Sequence, residues 1–276
     1  MQTSGLARSQ DAGVYNINNA KCCLPNCIKL TEMLRDVLAT TKNRYLRGKP
    51  AYAHDLAHKF LNHAYTILAL IQYELEIKKL SLPFKISVLP SIQVLIRTSF
   101  EAYLTFYYVF IAPLTTEEKE CRYLAYVYSG YFERSEIPFA DRFTGEDKEA
   151  TERFKQKLKA NNYFKSLKPG KQKAILNGKW KLESWDTIGV NAGFTEQIFT
   201  IFYKYLCGYA HSGSLSVRQS SQILINGQPF DSIDSLLLLL NKCIAKIIEE
   251  YGIIFIKSAD CLNEQDKVFI TLWAQV

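Results

Sequence analysis

The sequence predicts an all-α protein, a multi-helix bundle of six to eight helices with a basic helical arm or insertion. Along most of the chain, apolar residues recur at steps of three and four, the spacing that lines one face of an α-helix. Clusters of Gly, Pro and Ser interrupt these patterns, as helix–helix connections do. A strand signal comes from Asn226-Gly227 after an apolar triplet, which favours a small hairpin.

Local signals place each helix in turn. Pro90 suits a first helical turn, and the residues after it are apolar on most sides, as in the central helix of a bundle. Thr115 and Glu118 form a capping box at the start of the next helix, and Thr195 can cap a later one. The expected helices cover residues 26–47, 51–80, 90–111, 115–136, 146–161, 195–211, 231–257 and 264–273, with short basic and connecting segments at 171–181 and 185–193.

Composition indicates a globular chain and excludes a disordered, collagen-like or disulfide-rich one. The 276 residues are 48% hydrophobic and 22% charged, which is ordinary for a globular protein. Residues 1–20 are rich in Asn, Ser, Gln and Gly and indicate a flexible N-terminal lead. We expect a single helical domain over residues 21–276 that includes residues 141–182 as the basic insertion or arm.

Targeting signals and cysteine usage indicate a cytoplasmic protein. The first twenty residues lack the apolar core of a secretory signal. The longest uncharged apolar stretch, residues 102–113, is shorter than the roughly 20 residues of a membrane-spanning helix. Seven cysteines at irregular spacing indicate reduced thiols rather than a disulfide framework. We therefore expect no membrane partner.

The formal net charge of +7 comes from one segment. Residues 141–182 contain 12 Lys/Arg and 5 Asp/Glu, and the rest of the chain is balanced. From residue 153 to 182 there are ten Lys/Arg and no acid, with aromatic residues between them. This pattern favours RNA or an acidic protein as partner, and a solvated helix face is the structural alternative. The candidate binding residues are Arg153, Lys155, Lys157, Lys159, Lys171, Lys173, Lys179, Trp180 and Lys181.

Motifs of the common cofactor sites are absent from the sequence. The three Gly-Lys dipeptides lack the following Ser/Thr and the upstream glycine of a phosphate-binding loop. No dinucleotide-binding glycine pattern follows a strand, and no G-x-S-x-G marks a nucleophile elbow. We expect no cofactor.

His54 and His58 are the candidate metal ligands. They stand four residues apart, so that on a helix they share a face and can chelate one ion. Further ligands would have to come from elsewhere, and the alternative is a pair of imidazoles that cap neighbours or face solvent. Cys22, Cys23 and Cys27 form a second cluster, but no other Cys/His pair lies near them in the sequence.

Arg97 and Glu101 are charged residues four apart in the most apolar helix, so that they share a face. Burying charges there is costly unless they are paired and hydrogen-bonded, and we expect His211 as a third partner, with Tyr209 beside it. Such a cluster can set the tautomer and pKa of an imidazole for proton transfer. The alternative is a buried polar latch that sets helix register.

Four stretches resemble a bacterial family described only as domain of unknown function 5677. They are SIQVLIRTSFEAYLTFYYVFIAP, EEKECRYLAYVYSGYFER, NGKWKLESWDTIGVNAGF and IFTIFYKYLCGYAHSGSLSVRQ. The family's Arg-x-x-x-Glu helix matches Arg97 and Glu101, and its later tyrosine-rich segment matches Tyr205, Tyr209 and His211. The resemblance covers about residues 50–222 and implies an all-helical bacterial cytosolic protein, without an established activity.

A weaker similarity is to HEPN-type helical proteins, many of which are RNases or toxins. Their chemistry uses an Arg followed, after four to six residues, by a His on the same helix. Arg47 and His54 have six residues between them, but Gly48 and Pro50 intervene and disfavour a continuous helix. The catalytic assignment is therefore not transferred to these residues.

The leading hypothesis is a partner-binding or accessory protein of a stress- or phage-defence setting. One alternative is a metal-independent, HEPN-like endoribonuclease in which His211 is the general acid/base, Glu101 orients it and Arg97 holds phosphate. Another is a metal-dependent hydrolase that uses His54 and His58. The sequence leaves open whether the chain is an enzyme and whether it forms a homo-oligomer.

Overall fold

The computed structural model confirms an all-α fold. It describes residues 23–42, 46–77, 79, 86–136, 145–226 and 230–276, and within these ranges it contains no strand. A π-helical turn, Tyr107–Ile111, follows α3, and a 3-10 helix, Ile256–Cys261, follows α11. The α-helices are α1 Cys23–Ala39, α2 Lys49–Ile77, α3 Leu89–Phe106, α4 Thr116–Ser135, α5 Gly145–Ala160, α6 Asn162–Ser166, α7 Pro169–Leu176, α8 Trp185–Asn191, α9 Glu196–Ala210, α10 Ser214–Asn226, α11 Phe230–Ile254 and α12 Glu264–Gln275.

The twelve α-helices in the described ranges exceed the predicted six to eight because several connectors are themselves helical. Asn161 and Ser184 cap α6 and α8 by accepting hydrogen bonds from backbone N–H groups three residues on. The predicted hairpin is wrong, since α10 continues through residues 223–226. An apolar triplet does not distinguish a strand from a helix by its spacing.

The chain divides into two compact units. The first consists of Met1–Tyr103 with Ile201–Val276, and the second is Leu104–Thr200. In the first unit α1 packs against α2 and α11, and α12 packs on α11. Its largest fully buried side chains include those of Trp273 and Tyr251. The predicted N-terminal lead, residues 1–20, lies outside the described residues.

The second unit contains the basic segment as part of its packing. Helix α4 contacts the π-helical turn, α5 and α6. Leu158, Phe164 and Ile175 of the basic segment are each at most 3% exposed. The described part of that segment is therefore anchored in the second unit by its own apolar face, whereas the sequence predicted an arm or insertion on a single domain.

Among the described helices none is long and apolar enough to span a bilayer. The six described cysteines form no disulfide. Burial raises the pKa of the Cys27 thiol to about 12, with a smaller rise from Cys23. That thiol is therefore protonated at neutral pH. Cys22, the other member of the N-terminal cluster, lies outside the described residues.

Helix α7 ends in a turn that requires glycine. Gly178 has φ +83°. Its N–H donates to the carbonyl of Ile175, and the N–H of Lys179 donates to that of Ala174, which is the Schellman pattern. A Cβ added at Gly178 would lie 2.5 Å from Cδ1 of Phe132. Backbone strain and a steric clash therefore both oppose a side chain at this position.

We expect Gly178→Ala to lower the free energy of unfolding by about 2 kcal/mol, because a left-handed alanine and its contact with Phe132 both cost energy. Urea unfolding followed by circular dichroism measures the change. Gly170→Ala is the matched control on the same helix, where an added Cβ meets nothing within 4 Å. Equal unfolding midpoints for the two variants would contradict the assignment.

Candidate functional site

Arg97 and Glu101 form an ion pair, with 2.9 Å between Nη2 and Oε1. The hydroxyl of Tyr203 donates to the same carboxylate oxygen at 2.8 Å. Burial lowers the pKa of Arg97, but the nearby Cys207 and Glu101 outweigh burial and leave that pKa raised. The predicted third partner exists, and it is the tyrosine hydroxyl of Tyr203.

The structure does not bring His211 to this pair. It lies just beyond the end of α9 and is exposed, and within the described residues its side chain has no contact with Arg97 or Glu101. His211 is eight residues beyond Tyr203, which is about 12 Å along a helix at 1.5 Å per residue. Tyr209 is buried instead, and its hydroxyl donates to Oε1 of Gln219 at 3.2 Å.

His54 takes part in a hydrogen-bonded chain. Its Nδ1 lies 2.8 Å from the hydroxyl of Tyr251, which lies 2.9 Å from the hydroxyl of Thr41. Thr41 in turn donates to the carbonyl of Leu38, so the chain favours an Nδ1–H tautomer. Burial lowers the pKa of His54, so the imidazole is neutral at neutral pH.

The predicted metal site has no third ligand in the described part of the chain. The imidazole rings of His54 and His58 lie on one face of α2 with their centroids 6.0 Å apart. No group of three His, Cys, Asp or Glu residues with metal-binding geometry occurs among the described residues. A two-histidine pair leaves the coordination of a structural or catalytic zinc ion incomplete.

The basic segment exposes most of its cations on the second unit. Eight of the ten Lys/Arg residues between positions 153 and 182 are exposed, and none of these eight forms an ion pair with a carboxylate among the described residues. They lie on α5, on α6, at both ends of α7 and within it. The eight are Arg153, Lys157, Lys159, Lys165, Lys168, Lys171, Lys173 and Lys179.

Three predicted members of this interface have other contacts. Lys155 pairs with Glu152 at 3.6 Å. Lys181 stacks over the ring of Trp185 at 4.3 Å and donates to the backbone carbonyl of Glu183. Trp180 packs edge-on against Trp185 and two tyrosines of the second unit. Its ring is therefore used in packing and is not a free surface for stacking bases.

A second cluster, centred on Arg122 of α4, was not predicted. Nη2 of Arg122 lies 2.6 Å from Oε1 of Glu118 and 3.5 Å from Oε1 of Glu183. Its Nη1 donates to the carbonyl of Tyr108 at 3.1 Å, and the guanidinium lies 4.1 Å from the centre of the Tyr108 ring. The hydroxyl of Tyr163 also donates to Glu118.

Glu118 links this cluster to the start of α4. Its N–H donates to Oγ1 of Thr115, which confirms Thr115 as the helix cap, whereas its Oε2 accepts from the N–H of Leu114, one residue before the cap, so the reciprocal bond of the predicted capping box is shifted. Burial raises the pKa of Glu118, but the N–H of Leu114 and the charge of Arg122 outweigh burial and leave that pKa lowered. Both Arg122 and Glu118 are 11% exposed at the side chain.

A cavity of about 370 Å³ opens beside the Arg122 cluster. This volume is within the range of small-molecule sites. One wall is the π-helical turn, a feature that often marks functional sites. The lining residues are Tyr107, Tyr108, Ala112, Leu114, Glu118, Arg122, Glu183, Ile188 and Asn191.

The sequence contains one signal for this site. Glu118 and Arg122 stand four apart, the spacing of a pair on one helix face, within a helix rich in tyrosine. The signal is weak, because most such pairs are solvent-exposed and contribute little. Glu183 is 61 residues from Arg122 in the chain, so sequence spacing could not have joined the two.

The fold and these sites define an all-α protein with a basic face and a tyrosine-lined cavity. Comparisons with the profiles of known protein families, with curated proteins and with solved structures give no match. The resemblance to the family of unknown function stays a prediction. Arg47 precedes α2 and His54 lies within it, so the two do not share one helix as the Arg and His of HEPN-type proteins do.

Proposed function

We propose that the protein is a non-catalytic binding component. It binds RNA through the eight exposed cations on and beside α5, α6 and α7, which we call the basic face. The observation that carries this proposal is the set of eight exposed cations without a carboxylate partner among the described residues. Surface cations in proteins are commonly neutralised by neighbouring acids, so a cluster without them is suited to an external polyanion.

The spacing of the cations supports a nucleic acid. Arg153 and Lys157 stand four residues apart on one side of α5, which is about 6 Å along the helix axis. One strand of a nucleic acid duplex carries a negative charge every ~3.4 Å. The two cations are therefore separated by about the distance between alternate phosphates, and the buried Leu158 anchors α5 in the second unit.

The triple variant Lys157→Ala, Lys159→Ala, Lys173→Ala should weaken RNA binding and make it less dependent on salt. With about eight phosphate contacts, log Kd should change with log salt at a slope near 6, and the variant should lose about 2 of that slope. Fluorescence anisotropy with a labelled single-stranded RNA, measured between 50 and 200 mM salt, gives both slopes. The matched control is Lys59→Ala, Lys204→Ala, Lys257→Ala, three exposed cations of the first unit.

Three outcomes would overturn the proposal. They are an affinity that does not depend on salt, equal losses in both triple variants, or tighter binding to a polyglutamate peptide than to the RNA. The same samples run on a denaturing gel with EDTA test catalysis. RNA that stays intact supports a binding protein, whereas cleavage that His211→Ala abolishes would favour the RNase hypothesis.

A further inference from the structure

The polar groups around the cavity in the second unit differ in how many hydrogen bonds they already make. Arg122 already donates to Glu118, to Glu183 and to the Tyr108 carbonyl, and its face lies on the Tyr108 ring. Glu118 already accepts from Arg122, from Tyr163 and from a backbone N–H. An anion entering the cavity would therefore meet a guanidinium whose charge is already offset by two neighbouring carboxylates.

Glu183 and Asn191 hold the unused hydrogen-bonding capacity. Glu183 is bound to Arg122 only through Oε1, at the long distance of 3.5 Å, and its Oε2 has no partner among the described residues. The carbonyl of Asn191 accepts from the hydroxyl of Tyr107, but its side-chain amide contacts no polar group in the described part of the chain. Both residues line the same cavity, in which Asn191 is exposed and the Glu183 side chain is 31% exposed.

The charge of the lining is negative. Glu118 and Glu183 contribute two negative charges and Arg122 one positive charge, a net charge of −1. Lys181 is the nearest further cation on the same connector, but its ammonium is held over the Trp185 ring and does not line this cavity. The remaining walls are apolar or aromatic, with Ile188 fully buried.

We propose that this cavity binds a small organic cation, a primary ammonium or amidinium group on a short apolar body, with Glu183 as its carboxylate partner. The cation donates to Oε2 of Glu183 and to the side-chain oxygen of Asn191, and its apolar body packs against Ile188 and the tyrosine wall. Such charge-assisted hydrogen bonds are about twice as strong as neutral ones, and aromatic faces add attraction for a cation. This inference is independent of RNA binding on the basic face.

Isothermal titration with benzylamine, benzamidine, benzyl alcohol and benzoate tests the charge preference, since the four ligands share one ring. We expect the two cations to bind at least tenfold more tightly than the neutral alcohol, and benzoate not to bind. A blocked lysine, Nα-acetyl-lysine methylamide, distinguishes the sources of the cation. Binding comparable to benzylamine indicates a protein side chain, whereas weaker binding indicates a free amine.

Two variants change the charge of the cavity in opposite directions. Glu183→Gln should weaken benzylamine binding at least tenfold, and Asn191→Asp should strengthen it severalfold, because it adds a second free carboxylate. Glu133→Gln, an exposed carboxylate elsewhere on α4, is the matched control and should leave the affinity unchanged. Binding of benzoate in preference to benzylamine, or an affinity that neither cavity variant changes, would overturn the proposal.

Discussion

Replacing Arg122 with methionine should lower the free energy of unfolding by about 3 kcal/mol, because removing one partner of a buried ion pair leaves the other charge without compensation. Arg122 and Glu118 are each only 11% exposed at the side chain, and Glu183 is 31% exposed. Methionine has a similar length and preserves the packing on the Tyr108 ring, so the loss reports on charge and hydrogen bonding more than on volume.

The same helix provides a matched control. Arg134 pairs with Asp147 at 3.3 Å, but its side chain is 47% exposed, and surface pairs are worth about 0–1 kcal/mol. We expect Arg134→Met to change the unfolding midpoint in urea far less than Arg122→Met does. Equal shifts for the two arginines would contradict a buried role for Arg122.

A double-mutant cycle isolates the contact between Arg122 and Glu118. Glu118→Gln keeps the acceptor for the backbone N–H of Leu114 but removes the charge that Arg122 neutralises. The double variant should therefore lose less free energy of unfolding than the two single variants lose together. The difference is a coupling energy of about 1–2 kcal/mol. A coupling energy near zero would mean that Arg122 acts through Tyr108 and packing alone.

Local features of this protein could be predicted from the sequence, and long-range ones could not. The start of α4 follows from the side chain of Thr115, which accepts from the N–H of Glu118 within one turn, so this cap was predictable. The exposure of the lysines on α5 likewise follows from charge alone. The first property depends on residues a few positions apart, and the second depends on each side chain alone.

The composition of the candidate sites depends on packing between distant segments. Trp180 stands in a basic, aromatic stretch that is typical of stacking surfaces, yet it packs against Tyr108 and Tyr126, more than fifty residues away. The predicted end of α9 at residue 211 is within one residue of the observed end, but His211 lies eight residues, about 12 Å along the helix axis, beyond the Tyr203 that contacts the pair. Tertiary contacts therefore decided both roles.

A buried glutamate should make the stability of the first unit depend on pH. Glu250 of α11 is 8% exposed. Tyr103 donates to its Oε1 at 3.0 Å, and its Oε2 has no hydrogen-bond partner among the described residues. Burial raises the pKa of Glu250 to about 7, while Lys246 and the Tyr103 hydrogen bond oppose this and Glu249 adds to it.

The direction of the pH effect follows from proton linkage. The folded state holds the proton of Glu250 more tightly than the unfolded chain, where the pKa has its ordinary value of 4.5. This contribution is fully present below pH 4.5 and is lost as the pH rises toward about 7. At 1.36 kcal/mol per pKa unit, the free energy of unfolding should fall by about 3 kcal/mol across this window.

Glu250→Gln should remove this loss, because glutamine keeps an acceptor for Tyr103 but does not ionise. Relative to the wild type, the variant should gain about 3 kcal/mol in unfolding free energy between pH 4 and pH 8. Urea unfolding at pH values across that window measures the gain. Glu249→Gln, an exposed neighbour whose carboxylate accepts from Thr271, is the control. Parallel pH profiles for the wild type and Glu250→Gln would contradict a raised pKa and would show that Glu250 is ionised in the folded protein. The buried charge of its carboxylate would then have to be compensated by Lys246.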